Sequence, residues 1–305
     1  MKVALLIGFQ YQDDPEKYLP GILVDLYLTY QTVVKMGVDR FLMITDIRSD
    51  LAVDLLRRAL SDDVIDSGIL SFVQEAQEKG FYCSYSSQSE FIARITEIVG
   101  GGDRIFVYYT GHGDNGDMLL PSTDGVANRL HMYIFRKCIC DHCLPGSEIF
   151  FLLDCCSDTQ MKLPFKMKAG KYILSGKPLP DPENLDLTSY LKTIKFSKHN
   201  IICLSSSSGD GYSHITEKGS TFTQGFFKSV ATKRVLRELI PEIEDHCLQL
   251  KRQTVTCYSS DHRLGVIWGW LIGLPDVTCK FDCNLQSLKI SLNDQRQRQS
   301  EICLI

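Results

Sequence analysis

The chain has 305 residues, of which 44% are hydrophobic and 23% are charged, and its formal net charge at pH 7 is −4. These values are ordinary for a globular protein and exclude the basic charge that is typical of nucleic-acid binding. The longest apolar run, Gly265 to Leu274, is far shorter than the roughly 20 residues that cross a bilayer. No cleavable apolar leader is visible, so we expect a cytoplasmic protein with reduced thiols and with neither a membrane nor a nucleic-acid partner.

Short apolar runs alternate with longer amphipathic segments along the chain. This alternation predicts an α/β fold with a mostly parallel central sheet and helices on both faces. The predicted strands are Val3 to Gly8, Phe41 to Thr45, Ile105 to Tyr109, Ile149 to Leu153, Asn200 to Ser206 and Val266 to Ile272. The predicted helices are Ile22 to Met36, Asp50 to Leu60, Ser87 to Val99, Leu130 to Cys143, Phe222 to Ala231 and Arg234 to Gln253. The segment from Pro164 to Lys198, rich in Lys, Pro and Gly, is predicted to be an exposed loop.

Two predicted strands end in residues that can carry chemistry. The third runs into Gly111-His-Gly113, and the fourth runs into Cys155-Cys156. Because ligands bind at the carboxyl ends of parallel strands, we expect His112 and Cys156 to face each other across one crevice. An imidazole beside a thiol can take its proton and later return it to a leaving amine. Gly113 has no side chain, so its N–H and that of Cys156 are candidates for an oxyanion hole.

The wider motifs resemble those of a known family. Tyr109-Thr-Gly-His-Gly113 and Asp154-Cys-Cys156 are similar to the histidine and cysteine motifs of caspase-like peptidases, specifically metacaspases, and their separation suits that family. Further anchors follow in the family's order: Val3-Ala-Leu-Leu-Ile-Gly8, Leu19-Pro-Gly-Ile-Leu-Val-Asp25, Ile44-Thr-Asp46, Leu119-Leu-Pro121 and Leu163-Pro-Phe165. The resemblance covers about Met1 to Pro275. It implies the caspase-hemoglobinase fold and a cysteine endopeptidase activity.

The resemblance also implies a set of site residues. It makes Cys156 the nucleophile and His112 the general base and acid. The family's pocket for a basic P1 side chain corresponds to Asp25, Asp154 and Thr110, which implies protein or peptide substrates that are cleaved after Arg or Lys. The other interpretation of the carboxylates is local: Asp25 caps or pairs with a neighbour, and Asp154 accepts hydrogen bonds from loop amides.

Some positions depart from the family pattern. The His-Ser-Gly that follows the family's cysteine is Ser157-Asp-Thr159 here. Where many metacaspases carry calcium-binding aspartates, this chain has Lys162 and Val126-Ala-Asn-Arg129. Because calcium prefers several carboxylate oxygens, we predict no calcium requirement, and no other metal or cofactor. The same departures favour an alternative function, a caspase-fold scaffold that binds partners without cleaving them; a third is a thiol hydrolase of esters or small amides.

The resemblance divides the chain into four parts. These are a large-subunit-like portion with both motifs (1–161), a Lys/Pro-rich linker loop (162–198), a small-subunit-like portion (199–275) and a polar C-terminal tail (276–305). The linker carries Lys166, Lys168 and Lys171, so self-cleavage there is a further hypothesis.

Two other motifs have simpler interpretations. Gly111 to Gly116 fits G-x-G-x-x-G, but no helix is predicted after it and no acidic residue stands about 20 positions on, which argues against dinucleotide binding. Cys138-Ile-Cys-Asp-His-Cys143 has no spacing of a closed zinc site, so we interpret these residues as thiols of a helix.

Overall fold

The computed structural model describes residues 1–47, 72, 76, 78, 82–122, 128–156, 161, 163–168, 171–174, 197–207, 211–251, 253–261, 264 and 268–272. The predicted helix Asp50 to Leu60, residues 157–160 and the tail after Pro275 lie outside this part of the chain. Within it, the helices are all too short or too polar to cross a membrane.

Strands and helices alternate along the described chain. The strands are β1 (Lys2–Gly8), β2 (Arg40–Thr45), β3 (Tyr82–Ser84), β4 (Arg104–Thr110), β5 (Gly113–Asp114), β6 (Asp117–Leu120), β7 (Asn128–His131), β8 (Glu148–Asp154), β9 (Phe165–Lys168), β10 (Lys171–Leu174), β11 (Asn200–Ser205), β12 (Ile215–Thr216), β13 (Gly219–Ser220) and β14 (Thr256–Ser259). The helices are α1 (Ile22–Met36), α2 (Gln88–Val99), α3 (Met132–His142), α4 (Thr221–Val230) and α5 (Leu236–Lys251), followed by a 3-10 turn at Gly269–Ile272.

One large sheet runs through the described part of the molecule, in the order β10-β9-β14-β11-β8-β4-β1-β2-β3. The pairings from β3 through to β11 are all parallel. The pairings of β14 with β11, of β9 with β14 and of β10 with β9 are antiparallel. The predicted mostly parallel α/β sheet is therefore confirmed.

Both faces of the sheet are covered by helices. Successive side chains of a strand point to opposite faces, so Leu6 and Phe106 lie in one apolar layer and Leu5 and Val107 in the other. The first layer includes buried side chains of α1, α4 and α5, and the second those of α2 and α3. Burial on both faces explains why these strands read as continuous apolar runs rather than as alternating ones.

The helix boundaries follow local chemistry. Gly37 ends α1 with a left-handed φ of 60°, which costs glycine little because it has no Cβ. Ser87 precedes α2 and its hydroxyl oxygen accepts a hydrogen bond from the Glu90 N–H. These two residues therefore explain where α1 ends and where α2 begins.

Three predicted elements are wrong in part. The helix predicted from Leu130 begins at Met132, because residues 128–131 pair as a strand with β6. The predicted last strand contains the 3-10 turn Gly269–Ile272, and the last strand among the described residues is β14. The predicted loop from Pro164 begins with the hairpin β9–β10, since main-chain pairing with β14 extends the sheet there.

The register of the sheet positions the strand ends that carry chemistry. Gly8 at the end of β1 is paired with Thr110 at the end of β4, and Thr110 is paired in turn with Asp154 at the end of β8. Three parallel strands thus stop at the same level. The loops that follow them emerge side by side at one edge of the sheet.

Candidate active site

The histidine and cysteine motifs meet at this carboxyl edge. The Gly111 N–H donates to the Asp154 carbonyl oxygen at 3.2 Å, which joins the two loops where they leave the sheet. A Cβ added to Gly113 would lie 2.3 Å from the carbonyl oxygen of Cys156. Glycine is required at this position because any side chain would push the two backbones apart. His112, between these two glycines, is therefore held beside the Cys156 loop.

The His112 ring is oriented by a backbone carbonyl. Its Nε2 lies 2.8 Å from the carbonyl oxygen of Lys17, which can only accept a hydrogen bond. Nε2 must therefore carry the hydrogen, and in the neutral ring Nδ1 is left with a lone pair that can accept a proton. Burial lowers the pKa of His112, and the hydrogen bond to the Lys17 carbonyl partly opposes that shift. The ring is consequently neutral at pH 7.

The Cys156 thiol is half-buried and faces the main chain at Ser213. Its Sγ lies 4.0 Å from the carbonyl oxygen of Ser213. Burial raises the pKa of this thiol, with a smaller contribution in the same direction from the Asp154 carboxyl. A neutral thiol and a neutral imidazole on adjoining loops suit general-base activation rather than a preformed thiolate–imidazolium pair.

The preceding residue fixes the backbone of this loop. The Cys155 N–H donates to the Ser206 hydroxyl at 3.0 Å, and its carbonyl oxygen accepts from the hydroxyls of Ser206 at 3.1 Å and Ser207 at 2.9 Å. The Cys155 side chain is fully buried. Both serines follow β11, so the neighbouring strand anchors the loop that presents Cys156.

The three residues predicted to form a P1 pocket lie together. Asp25, Thr110 and Asp154 are 0%, 1% and 3% exposed. Burial raises the pKa of Asp25 well above its ordinary value, and the nearby Asp154 carboxyl raises it further, while hydrogen bonds from Ser220 and Thr110 oppose the shift. Burial also raises the pKa of Asp154. Two carboxyls this close cannot both ionise readily, so the pair retains a proton above the usual range for an aspartate.

Hydroxyl groups from the second half of the chain line this acidic pair. Asp154 accepts hydrogen bonds from the hydroxyl of Ser213 and, at 2.6 Å, from that of Thr223. The Ser220 N–H donates to both Asp25 oxygens, at 2.9 and 3.1 Å. The local interpretation of the carboxylates therefore describes real contacts, and the Asp25 carboxyl also lies close to that of Asp154, two residues before Cys156. Ser213 connects the nucleophile with the acidic pair, because its carbonyl oxygen faces the Cys156 thiol and its hydroxyl donates to Asp154.

The other predicted motifs have ordinary structural surroundings. A short hairpin, β5–β6, follows Gly111-His-Gly113 in place of the helix that a dinucleotide site requires. Cys138 and Cys140 lie on α3, as predicted, and the Cys143 Sγ lies 3.7 Å from His199 Nδ1. Among the described residues, no three His, Cys, Asp or Glu side chains converge in a way that could hold a metal ion. The prediction of a calcium-independent protein remains a prediction.

Several groups at this edge were missed by sequence reasoning. The Lys17 carbonyl has no sequence signal, because every residue has one. The side chains of Ser213, Ser220 and Thr223 come from a hydroxyl-rich run, and that run is a weak signal for a polar pocket wall.

Comparisons with known proteins identify the family. The profile of the family described as "Caspase domain" matches residues 1–262. Among solved structures, protein GSU0716 from Geobacter sulfurreducens is 12% identical, with a TM-score of 0.47 and coverage of 85% of this chain and 92% of that one. Caspase-1 from Spodoptera frugiperda is 13% identical, with a TM-score of 0.47 and coverage of 91% of each chain. No curated protein matches the sequence. The family match spans most of the chain and includes both motifs, and the chain therefore belongs to the caspase-domain family of cysteine peptidases.

Proposed function

We propose that the chain is a cysteine endopeptidase of the metacaspase type that cleaves proteins or peptides after Arg or Lys. Cys156 is the nucleophile, His112 is the general base and acid, and Asp25, Asp154 and Thr110 receive the P1 side chain. The reaction needs no calcium. The observation that carries the proposal is the position of Ser213, whose carbonyl lies 4.0 Å from the Cys156 Sγ while its hydroxyl donates to Asp154.

The proposed chemistry begins with a proton transfer. His112 Nδ1 takes the thiol proton as Sγ attacks the carbonyl carbon of the scissile peptide. The N–H groups of Gly113 and Cys156 stabilise the oxyanion, and the imidazolium then donates its proton to the leaving amine. Water attacks the resulting thioester with His112 again as the base, which releases the acid product and restores the thiol.

The acidic pair explains the preference for a basic side chain. A guanidinium offers five N–H donors that match carboxylates in bidentate geometry, and an ammonium offers three. A cation bound between Asp25 and Asp154 would displace the shared proton and stabilise both negative charges. An acidic or apolar P1 side chain would bring no positive charge to balance the two carboxylates, so Arg and Lys are selected by charge.

Self-cleavage within the linker is part of the proposal, but the hairpin restricts where it occurs. Lys166 and Lys168 lie in β9, which is paired with β14 on one side and β10 on the other. Lys171 lies in β10, paired with β9. A peptidase binds its substrate as an extended chain with free main-chain groups, so we expect cleavage at other basic residues of the linker.

The test is cleavage of fluorogenic peptides that end in Arg or Lys, under reducing conditions and with a calcium chelator. We expect wild type to release the fluorophore and the Cys156→Ala variant to release none. A matched peptide ending in Asp should not be cleaved. Asp25→Asn should lower kcat/KM for the Arg peptide by at least tenfold, because one of the two compensating charges is lost.

The scaffold alternative is favoured by one observation, the near-complete burial of the Asp25 and Asp154 carboxyls. If the pocket does not open, no P1 side chain can reach them. Absence of any wild-type cleavage of Arg, Lys and Asp peptides, in a sample that is folded and reduced, would support the scaffold and reject the peptidase.

A further inference from the structure

We propose that Asp46 and Tyr11 are positioning residues that hold His112 in place from the neighbouring strands. Asp46 follows β2, Tyr11 follows β1 and His112 follows β4, and these three strands are adjacent in the sheet. The catalytic consequence rests on the proposed function, whereas the geometric role does not.

Asp46 fixes the backbone just beyond β1. Its two carboxylate oxygens accept hydrogen bonds from the Gln10 N–H at 2.7 Å and the Tyr11 N–H at 2.6 Å. Tyr11 has a φ of 56°, a left-handed conformation that is unusual for a bulky side chain and carries an energetic cost. Charge-assisted hydrogen bonds are about twice as strong as neutral ones, so the Asp46 carboxylate can offset that cost.

Tyr11 transmits this anchor to the backbone of His112. The Tyr11 hydroxyl accepts from the His112 N–H at 3.0 Å and donates to the Leu119 carbonyl at 2.7 Å. The Tyr109 hydroxyl donates to the His112 carbonyl at 2.6 Å. Both main-chain groups of His112 are thus held by tyrosine hydroxyls, and the Tyr11 ring also lies 4.9 Å from the imidazole.

The same anchor supports the ring of His112 through the loop between β1 and α1. The Gln10 carbonyl accepts from the Leu19 N–H at 3.0 Å, which closes the base of that loop. Within it, the Lys17 N–H donates to the Asp14 carbonyl at 3.0 Å, and the Lys17 carbonyl accepts from His112 Nε2. Because Asp46 binds the Gln10 N–H at the same base, its loss releases both the backbone and the imidazole of His112.

The decisive variant is Tyr11→Phe, which keeps the ring packed and removes only the hydroxyl; Asp46→Asn is the second. For an Arg-ended peptide we expect kcat to fall about 10- to 100-fold with KM changed less than threefold, because a displacement near 1 Å costs on this scale. In a Cys156→Ala background, NMR titration of the His112 ring should show its pKa rising toward the ordinary value, because a loosened ring is better hydrated. The His112 signal is assigned by its loss in His112→Gln.

Tyr27→Phe is the matched control, since it removes a tyrosine hydroxyl that contacts Gln31 on the exposed side of α1. It should leave kcat and the His112 titration unchanged. The proposal is overturned if Tyr11→Phe and Asp46→Asn both fold and both keep the wild-type His112 titration. If wild type cleaves no peptide, the peptidase assignment fails, but the titration still decides whether these residues position His112.

Discussion

At the scale of single residues, the two proposed catalytic groups are both neutral in the free protein. Burial lowers the pKa of His112 and raises that of Cys156. The thiolate–imidazolium pair is therefore disfavoured, and Sγ loses its proton only as it attacks a bound substrate. Because Nδ1 must take the thiol proton during the attack itself, the orientation of the His112 ring is more important than its charge.

The first prediction concerns the pH dependence of this dyad. The active form has an unprotonated imidazole, so kcat/KM should fall only as the pH drops through the lowered pKa of His112, below the usual 6.5. Iodoacetamide should alkylate Cys156 at a rate that rises through a pKa above 9, measured as the difference between wild type and Cys156→Ala. A rate that is already maximal at neutral pH would indicate a preformed ion pair and contradict the prediction.

Part of the candidate site could be predicted from the types of residue in the sequence. His112 and Cys156 could be predicted to lie at one edge because each follows a short apolar strand, whereas the pairing of Asp25, which lies in α1, with Asp154 was implied only by the family resemblance. The Lys17 carbonyl and the conformation of Tyr11 could not be predicted, because a backbone group or a φ angle has no residue letter. Such groups become visible only when distant loops are brought together.

The second prediction concerns the acidic pair and stability. A group whose pKa is raised by folding contributes stability at low pH, and this contribution is lost as the pH rises through the folded value. Asp25 is such a group. The melting temperature of Asp25→Asn relative to wild type should therefore increase by a few degrees between pH 5 and pH 9, because the amide cannot ionise.

Asp154→Asn provides the partner measurement for this prediction. In Asp154→Asn the melting temperature should depend less on pH than in wild type, because the Asp154 charge no longer raises the pKa of Asp25. Melting curves in which wild type and both variants change in parallel with pH would show that neither carboxyl holds a proton in the folded protein.

At the scale of elements, the N-terminus of α1 is pressed against the hairpin β12–β13. A Cβ added to Gly21 would lie 2.0 Å from the Thr216 carbonyl oxygen and 2.8 Å from the Gly219 Cα. Side chains do not tolerate such distances, so glycine permits the approach. The contact carries Asp25, four residues further along the helix, to the Ser220 N–H.

The third prediction is that Gly21→Ala damages activity more than stability. The methyl group must displace the hairpin, which separates Ser220 from Asp25, so kcat/KM for the Arg peptide should fall at least tenfold with a loss of a few degrees in melting temperature. Gly37→Ala is the control: its surroundings are open, but its φ of 60° makes alanine unfavourable by about 1 kcal/mol. That variant should melt earlier and keep its activity; equal losses of activity in both would contradict the proposed contact.

The predicted elements succeeded where burial is on both faces and failed at the edge of the sheet. The strands β1, β4 and β8 each contain a continuous apolar run after a charged first residue, and these runs identify the strands from sequence alone. By contrast, β9 alternates apolar residues with lysines, β10 has only four residues, and β14 is short and polar. Such strands are formed by main-chain pairing with a neighbour that is distant in sequence, which local patterns do not contain.

At the scale of the whole molecule, one sheet joins the predicted large-subunit-like and small-subunit-like portions. In β8 and β11, the residues from Glu148↔Asn200 to Leu153↔Ser205 are paired in register. The Phe150 and Phe226 rings pack at 5.9 Å, and the Trp270 Nε1–H donates to Glu148 at 2.8 Å. The two portions thus share main-chain hydrogen bonds as well as one apolar core.

The last prediction follows from this shared sheet: cutting the linker should not separate the two portions. A recognition sequence for an unrelated site-specific protease, inserted after Leu174 in the Cys156→Ala background, allows a complete cut without self-cleavage. We expect two bands on a denaturing gel but one peak of full mass in native size-exclusion chromatography, because the β8–β11 pairing and the buried layers on both faces remain. The cut sample run in concentrated guanidinium chloride is the control and should give two peaks. Two separate peaks in native buffer would mean that the linker, rather than the sheet, holds the portions together, and the site that Asp154 and Ser213 share across them would then depend on an uncut chain.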